Sequence, residues 1–250
     1  MTAAKSELLY TKEYKLLSSD VDMFRRLRLS RLFTMLQEAA IAHTEALGAG
    51  REKTLDRGLL WVVGLQRIEI RALPRYDDPV VLTSWPGETR FTMFPRYCRL
   101  TAPDGTEYLR ASAFWTLMDA ESRKMIDPKK AGISIPGLVT GEEAGFPLPP
   151  KNAPAAFTRA FTVPYSWVDL NGHMNNSRYP DLAEDLMPEA LRGRVPQEIR
   201  MEYLAEARCG ETITVEGSFA DGLLTLTGST DKRIFRLSFR YPNDEGELSR

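Results

Sequence analysis

"VDLNGHMNNSRYPDL", residues 168–182, decides how the chain reads, because "VDMFRRLRLSRLFTM", residues 21–35, lies over it without a gap. Asp22 matches Asp169, Ser30 matches Ser177 and Arg31 matches Arg178, at a separation of 147 residues. Further on, "IEIRALPRYDDPVVL" from residue 68 lies over "MEYLAEARCGETITV" from residue 201 at a separation of 133, so the connecting stretch is 14 residues shorter in the second copy. Identities are few, but the order of features agrees, and the chain reads as one plan used twice.

Each copy opens on an extended segment ("LLYTKEYKLLSSDVD", 8–22; "AFTRAFTVPYSWVDL", 156–170) and continues into a helix and then several strands. In the first copy Leu29, Leu32, Phe33, Leu36, Ala39 and Ala40 fall at three- and four-residue steps, which predicts an amphipathic helix ending near Gly48. "LLWVVGLQRIEIRAL", "DPVVLTSWPGE", "MFPRYCRLTAPDG" and "EYLRASAFWTLMDA" read as strands, with "APDG" a tight turn. "EIRMEYLAEA", "ETITVEGSFADG", "LLTLTGST" and "IFRLSFRYP" repeat that set. The pattern predicts an α+β architecture in which each antiparallel sheet wraps its own long helix. Residues 136–157 are rich in Pro and Gly without sustained period and read as a semi-rigid linker between units 1–135 and 158–250. Joined sheet edges would hide both halves, and a homodimer is one assembly the plan allows.

With 250 residues and a formal net charge of −1, nothing global points to nucleic acid or a membrane surface. No apolar run approaches the roughly 18 residues of a membrane span, and the start lacks the apolar core of a signal peptide. Cys98 and Cys209 form no CxxC, which favours a reducing compartment and a cytoplasmic location.

Asp169, Asn171 and His173 are two residues apart, so in extended chain all three face one spot. Ser177 is a good N-cap and Pro180 then falls in the first turn, which puts the polar set beside the positive end of a helix, an environment suited to an anion. A plain polar turn is the alternative, since Asp, Asn and Gly dominate turns for local backbone reasons. Against it, the first copy keeps the helix pattern but has Phe24 for Asn171 and Arg26 for His173. Glu206 is the second candidate, because its counterpart is Leu73. Read on a strand, Cys209 lies on the face opposite Glu206 and is expected to be a small buried residue rather than a nucleophile. His43 reads as a packed or half-exposed histidine. No metal-ligand spacing, phosphate-cradling glycine loop or GxSxG elbow is present, so no metal or cofactor is expected and hydrolysis by activated water fits the residue set. Arg25, Arg26, Arg28 and Arg31 cluster at a helix start, where cations are disfavoured. They read as either an ordinary solvated face or a docking patch for an acidic or phosphorylated carrier.

"WVVGLQRIEIRALPRYDDPVVLTSWP" and "VDLNGHMNNSRYPDL…IRMEYLAEA" together resemble the acyl-acyl-carrier-protein thioesterases, the plant plastid enzymes and their shorter bacterial relatives, over about residues 8 to 242. The resemblance implies a double hotdog fold, with Asn171 and His173 as catalytic Asn and His, Asp169 as the nearby Asp and Glu206 as the catalytic acid three positions after Tyr203. Two positions depart from the plant pattern. Ala207 stands where the plant enzymes have a cysteine, and Leu182 stands in the region of an aromatic that closes the helix motif. The resemblance implies hydrolysis of a fatty acyl thioester on the phosphopantetheine of acyl-carrier protein. The first unit would hold the acyl chain against Leu32, Phe33, Leu36 and Trp61. Either Glu206 or His173 could be the base. An acyl-CoA thioesterase, a non-catalytic acyl-thioester-binding protein and a hotdog dehydratase are the competing readings.

Overall fold

The computed structural model describes residues 7–150 and 154–242. The chain divides into two compact units between Phe146 and Pro147. In the first, the strands are β1 (Tyr10–Lys15), β2 (Leu59–Ile70), β3 (Pro79–Pro86), β4 (Met93–Thr101) and β5 (Glu107–Asp119). They form an antiparallel sheet in the order β1-β3-β4-β5-β2. Helix α1 (Leu29–Ala46) packs on β1 and β3, and the short α2 (Pro128–Ala131) follows the sheet. In the second unit, β6 (Phe157–Thr162), β7 (Glu198–Tyr203), β8 (Thr212–Ala220), β9 (Leu223–Ser229) and β10 (Arg233–Arg240) run in the order β7-β10-β9-β8-β6, with helix α3 (Arg178–Leu186).

Read from the strand that opens each unit, the two orders are the same, and so is the register. Lys15 pairs with Pro79 and Thr162 with Thr212, which are counterparts at separations of 147 and 133. Arg71 and Ala72 both donate to the carbonyl of Tyr108, and their counterparts Leu204 and Ala205 both donate to that of Ile234. The repeat read from sparse identities is a repeat of individual hydrogen bonds.

The six apolar positions of α1 are all buried, and Leu32 is fully so. Each such leucine contributes on the order of 2 kcal/mol by leaving water, which outweighs any helix-propensity term. Gly48, in a left-handed conformation just past the helix, ends it as the sequence predicts. The second helix has nine residues against eighteen for α1. Pro188 follows closely behind it, and no glycine-capped apolar stripe continues beyond Leu186. Its buried Tyr179, Leu182 and Ala183 belong to the second unit's core, together with strand residues such as Ile199, Met201, Val215, Leu226 and Phe235.

The Pro/Gly-rich stretch is tied to the first unit along much of its length. Leu138 packs with Leu8, Trp85 and Tyr97, and the Phe146 ring lies on Phe114. In the second unit the Phe157 ring lies over Gly217, its partner across the β6–β8 ladder, in the space a Cβ would fill. No helix among the described residues is long and apolar enough to cross a membrane.

Candidate active site

The turn at 168–175 and the turn at 21–28 share one backbone. Val168 bridges Met174 and Val21 bridges Leu27. Asp169 N donates to the His173 carbonyl at 3.0 Å, and Asp22 N to the Arg26 carbonyl at 2.8 Å. Each aspartate then accepts from the backbone two residues on, Asn171 N and Phe24 N, both at 2.9 Å. Residue five of the turn has positive φ in both, Gly172 at 79° and Arg25 at 62°, a conformation that glycine takes freely and arginine takes under strain.

A further shared bond fixes where the turn points. Met174 N donates to the Ala207 carbonyl at 2.7 Å, as Leu27 N does to that of Pro74. This staples the 168–175 turn to the segment carrying Glu206. His173 therefore lies between two carboxylates, with Nδ1 4.0 Å from Asp169 Oδ1 and Nε2 4.0 Å from Glu206 Oε1. These separations are longer than hydrogen bonds, and a shift of about 1 Å would close either. All three side chains are 17–25% exposed, enough for a substrate to reach them. Arg208 Nη2 lies 3.8 Å behind Glu206 Oε2.

The structure thus brings Asp169, His173 and Glu206 together, with half-buried Asn171 on the same turn. Ser177 stands at the N-cap position of α3 and Pro180 in its first turn, but the Ser177 side chain caps nothing. Asn175 does the local work instead. Its Oδ1 accepts Ser177 N at 2.9 Å, and its Nδ2 donates to Asp169 Oδ2 at 3.1 Å. Sequence reading missed Asn175. The signal was present in the repeat, where Asn175 replaces Arg28. Tyr203 Oη donates to the Asn176 carbonyl, and its ring meets Tyr179 edge-on, fixing the start of α3. Burial pushes the Tyr179 phenol well up, so it stays protonated beside Asp169.

Two expectations need correction. Glu206 and Cys209 are not on a strand, because β7 ends at Tyr203, and Cys209 is exposed rather than buried. The two amides after Tyr203 converge on one carbonyl and the chain leaves the ladder there. The arginine cluster also stands mostly before the helix, with Arg28 at the N-cap. Arg26 is paired with Asp22 at 3.0 Å and Arg31 with Asp20 at 2.8 Å, while Arg25 and Arg28 are exposed.

Of the apolar candidates, Leu32, Phe33 and Leu36 lie on the buried face of α1. Trp61 packs edge-on against Phe94, in a cluster with Ala49, Leu59 and Leu117, and donates to the Ala49 carbonyl at 3.1 Å. His43 is buried. Arg96, a donor only, holds its Nδ1 at 3.0 Å, so Nε2 carries the proton and faces the Glu7 carbonyl. Burial and, next, the Arg96 charge pull His43 down to about 4, so it is neutral at pH 7.

An antiparallel sheet curled around a helix, made twice in one chain, is the tandem hotdog fold. The chain superposes with a TM-score of 0.81 on the crystal structure of an acyl-ACP thioesterase from Bacteroides thetaiotaomicron, at 19% identity, covering 96% of this chain and 100% of that one. The chain belongs to the acyl-ACP thioesterase family, whose N-terminal domain matches residues 7–130 and whose C-terminal domain matches residues 151–246. Among curated relatives, a chloroplastic dodecanoyl-[acyl-carrier-protein] hydrolase of Cinnamomum camphora is 24% identical over 203 residues, 74% of this chain and 52% of its own length. A chloroplastic acyl-[acyl-carrier-protein] hydrolase of Cuphea viscosissima is 23% identical over 94% of this chain and 63% of its own. The chain spans between about half and two thirds of the length of these relatives.

Proposed function

We propose that the chain hydrolyses fatty acyl thioesters carried on the phosphopantetheine of acyl-carrier protein, releasing free fatty acid and carrier protein. The observation that carries this reading is the placement of His173 between Asp169 and Glu206 in a member of the acyl-ACP thioesterase family. Two acceptors flanking one imidazole suit proton transfer from water to the leaving thiolate. Glu206 and His173 activate a water for attack on the thioester carbonyl, and Asp169 orients the ring. Asn171 holds the water or the carbonyl, and backbone N–H groups at the start of α3 stabilise the oxyanion. Ala207 leaves the position after Glu206 without a sulfur nucleophile, in keeping with a water mechanism.

In this reading Leu32, Phe33, Leu36 and Trp61 line the acyl-chain pocket, residues 136–157 link the two units, and the enzyme acts in the cytoplasm. Carrier docking falls to Arg25 and Arg28, since Arg26 and Arg31 are engaged by carboxylates of their own unit. Thiol release from one acyl chain on carrier protein and on CoA tests the proposal. The carrier-protein substrate is expected to turn over faster, and Arg25→Glu with Arg28→Glu to slow that substrate alone. Equal rates on both carriers would make the chain an acyl-CoA thioesterase, and binding without thiol release would make it a non-catalytic binding protein. Sedimentation at micromolar concentration tests the homodimer.

A further inference from the structure

We infer that Asn175 is a positioning residue whose neutral amide holds the Asp169 carboxylate while leaving its charge to act on His173. The inference rests on the function proposed above, and the two turns supply the comparison that carries it. In the first unit Asp22 Oδ2 is held by the Arg26 guanidinium, with Nη2 at 3.0 Å and Nε at 3.3 Å. In the second unit the residue in the place of Arg26 is His173, whose ring does not reach hydrogen-bonding distance of Asp169. The vacated oxygen accepts instead from Asn175 Nδ2. The backbone is unchanged and the aspartate is kept. What differs is that a cation has been exchanged for a neutral donor coming from two residues further on.

That exchange has an electrostatic consequence. A guanidinium at 3 Å neutralises a carboxylate, whereas an amide N–H satisfies one lone pair and leaves the full negative charge. The Asp169 carboxylate therefore acts on Nδ1 of His173 and, with Glu206 offset by Arg208 at 3.8 Å, favours the tautomer with the proton on Nδ1 and the lone pair of Nε2 toward Glu206. Asn175 suits this task because its orientation is fixed. Its Oδ1 accepts Ser177 N, its backbone N donates to the Trp167 carbonyl, and so the –NH2 group must face Asp169.

Asn175→Asp is the discriminating variant. It retains an oxygen to accept Ser177 N, so the turn can form, but it replaces the donor with a second acceptor facing Asp169. We expect kcat to fall at least tenfold with KM within twofold. The ring-nitrogen NMR signals of His173 should lose their preference for the Nδ1-protonated form. His43, held in the opposite tautomer, is the internal control for the same spectra. The exchange variant Asp169→Asn with Asn175→Asp re-forms the hydrogen bond with the charge on the wrong residue. Its melting temperature is expected to return toward that of the parent while kcat stays low. Recovery of kcat in the exchange variant, or unchanged kcat and ring signals in Asn175→Asp, would overturn the inference. His173→Ala is run beside them. Full activity there would defeat the catalytic reading of the site, whereas a dead His173→Ala with a fully active Asn175→Asp would defeat the role of Asn175 alone.

Discussion

The turns at 21–28 and 168–175 have the same backbone hydrogen bonds and a positive φ at the same position, yet only the second sets a histidine against a glutamate. The difference separates what the fold requires from what the proposed chemistry uses. Asp22 and Asp169 are needed by the turn, since each accepts a backbone N–H two residues on. His173, Glu206 and Asn175 are not, since Arg26, Leu73 and Arg28 stand in their places over an unchanged backbone. In the first turn Arg26 folds onto Asp22 and lies over the Phe24 ring.

The sharpest way to break this contrast is to remove the chemistry on one side and the turn on the other. His173→Ala or Glu206→Gln is expected to cost a hundredfold to ten-thousandfold in kcat. Asp22→Asn, the matching change in the first unit, should leave thiol release within twofold and lower the melting temperature. A large kcat loss from Asp22→Asn would mean the first turn also has a chemical role.

The two histidines provide the next test. His43 is held at about 4 when folded and returns toward 6.5 when unfolded, so between those values the unfolded chain binds a proton that the folded chain does not. Stability is then complete above pH 6.5 and falls as the pH drops toward 4, by up to about 3 kcal/mol. Urea unfolding at a series of pH values should show this slope, and His43→Gln should flatten it.

Smaller effects sharpen the comparison of backbones. Gly172→Arg, which imports the residue of the other turn, is expected to destabilise by about 1 kcal/mol through its positive φ. Arg25→Gly should be neutral or slightly stabilising. Chemical unfolding of both variants reads the difference. Smallest of all, Arg31 pairs with Asp20 where its counterpart Arg178 lies over Trp167. Asp20→Asn, which keeps an oxygen for the Leu17 N–H and removes only the charge facing the partly exposed Arg31, should cost under about 1 kcal/mol in the same assay.

Much of this was legible in the sequence because it is local. The apolar stripe of α1, the alternation of the strands and the paired turns all depend on residues within a few positions of one another. The two separations of the repeat carried over to the registers of β1 with β3 and β6 with β8. What was not legible depends on where the chain leaves a ladder or where a side chain finds a distant partner. Alternation continues in the letters past Tyr203, but the amides of Leu204 and Ala205 share one carbonyl and the strand ends, which puts Glu206 and Cys209 on a connecting segment. The cluster of four arginines reads as a solvated face or a docking patch, and Asp20 and Asp22, which engage two of them, are not marked as their partners by spacing. Buried His43 met Arg96, a partner 53 residues away that no spacing announces.

Two units with one strand order and one register face a problem of fidelity during folding, since either edge strand could seat itself in the other's place. β1 and β6 show the same pattern of exposure along their six residues, so burial does not tell them apart. The contact of Phe157 with Gly217 does. At the matching place in the first unit Tyr10 faces Ser84, and the Tyr10 ring turns to stack on His43. A β6 strand misplaced onto β3 would drive the Phe157 ring into the Ser84 Cβ, and a β1 strand on β8 would part the Tyr10 ring from His43. One missing Cβ, at Gly217, thus reserves a place for the β6 strand that β3 does not offer.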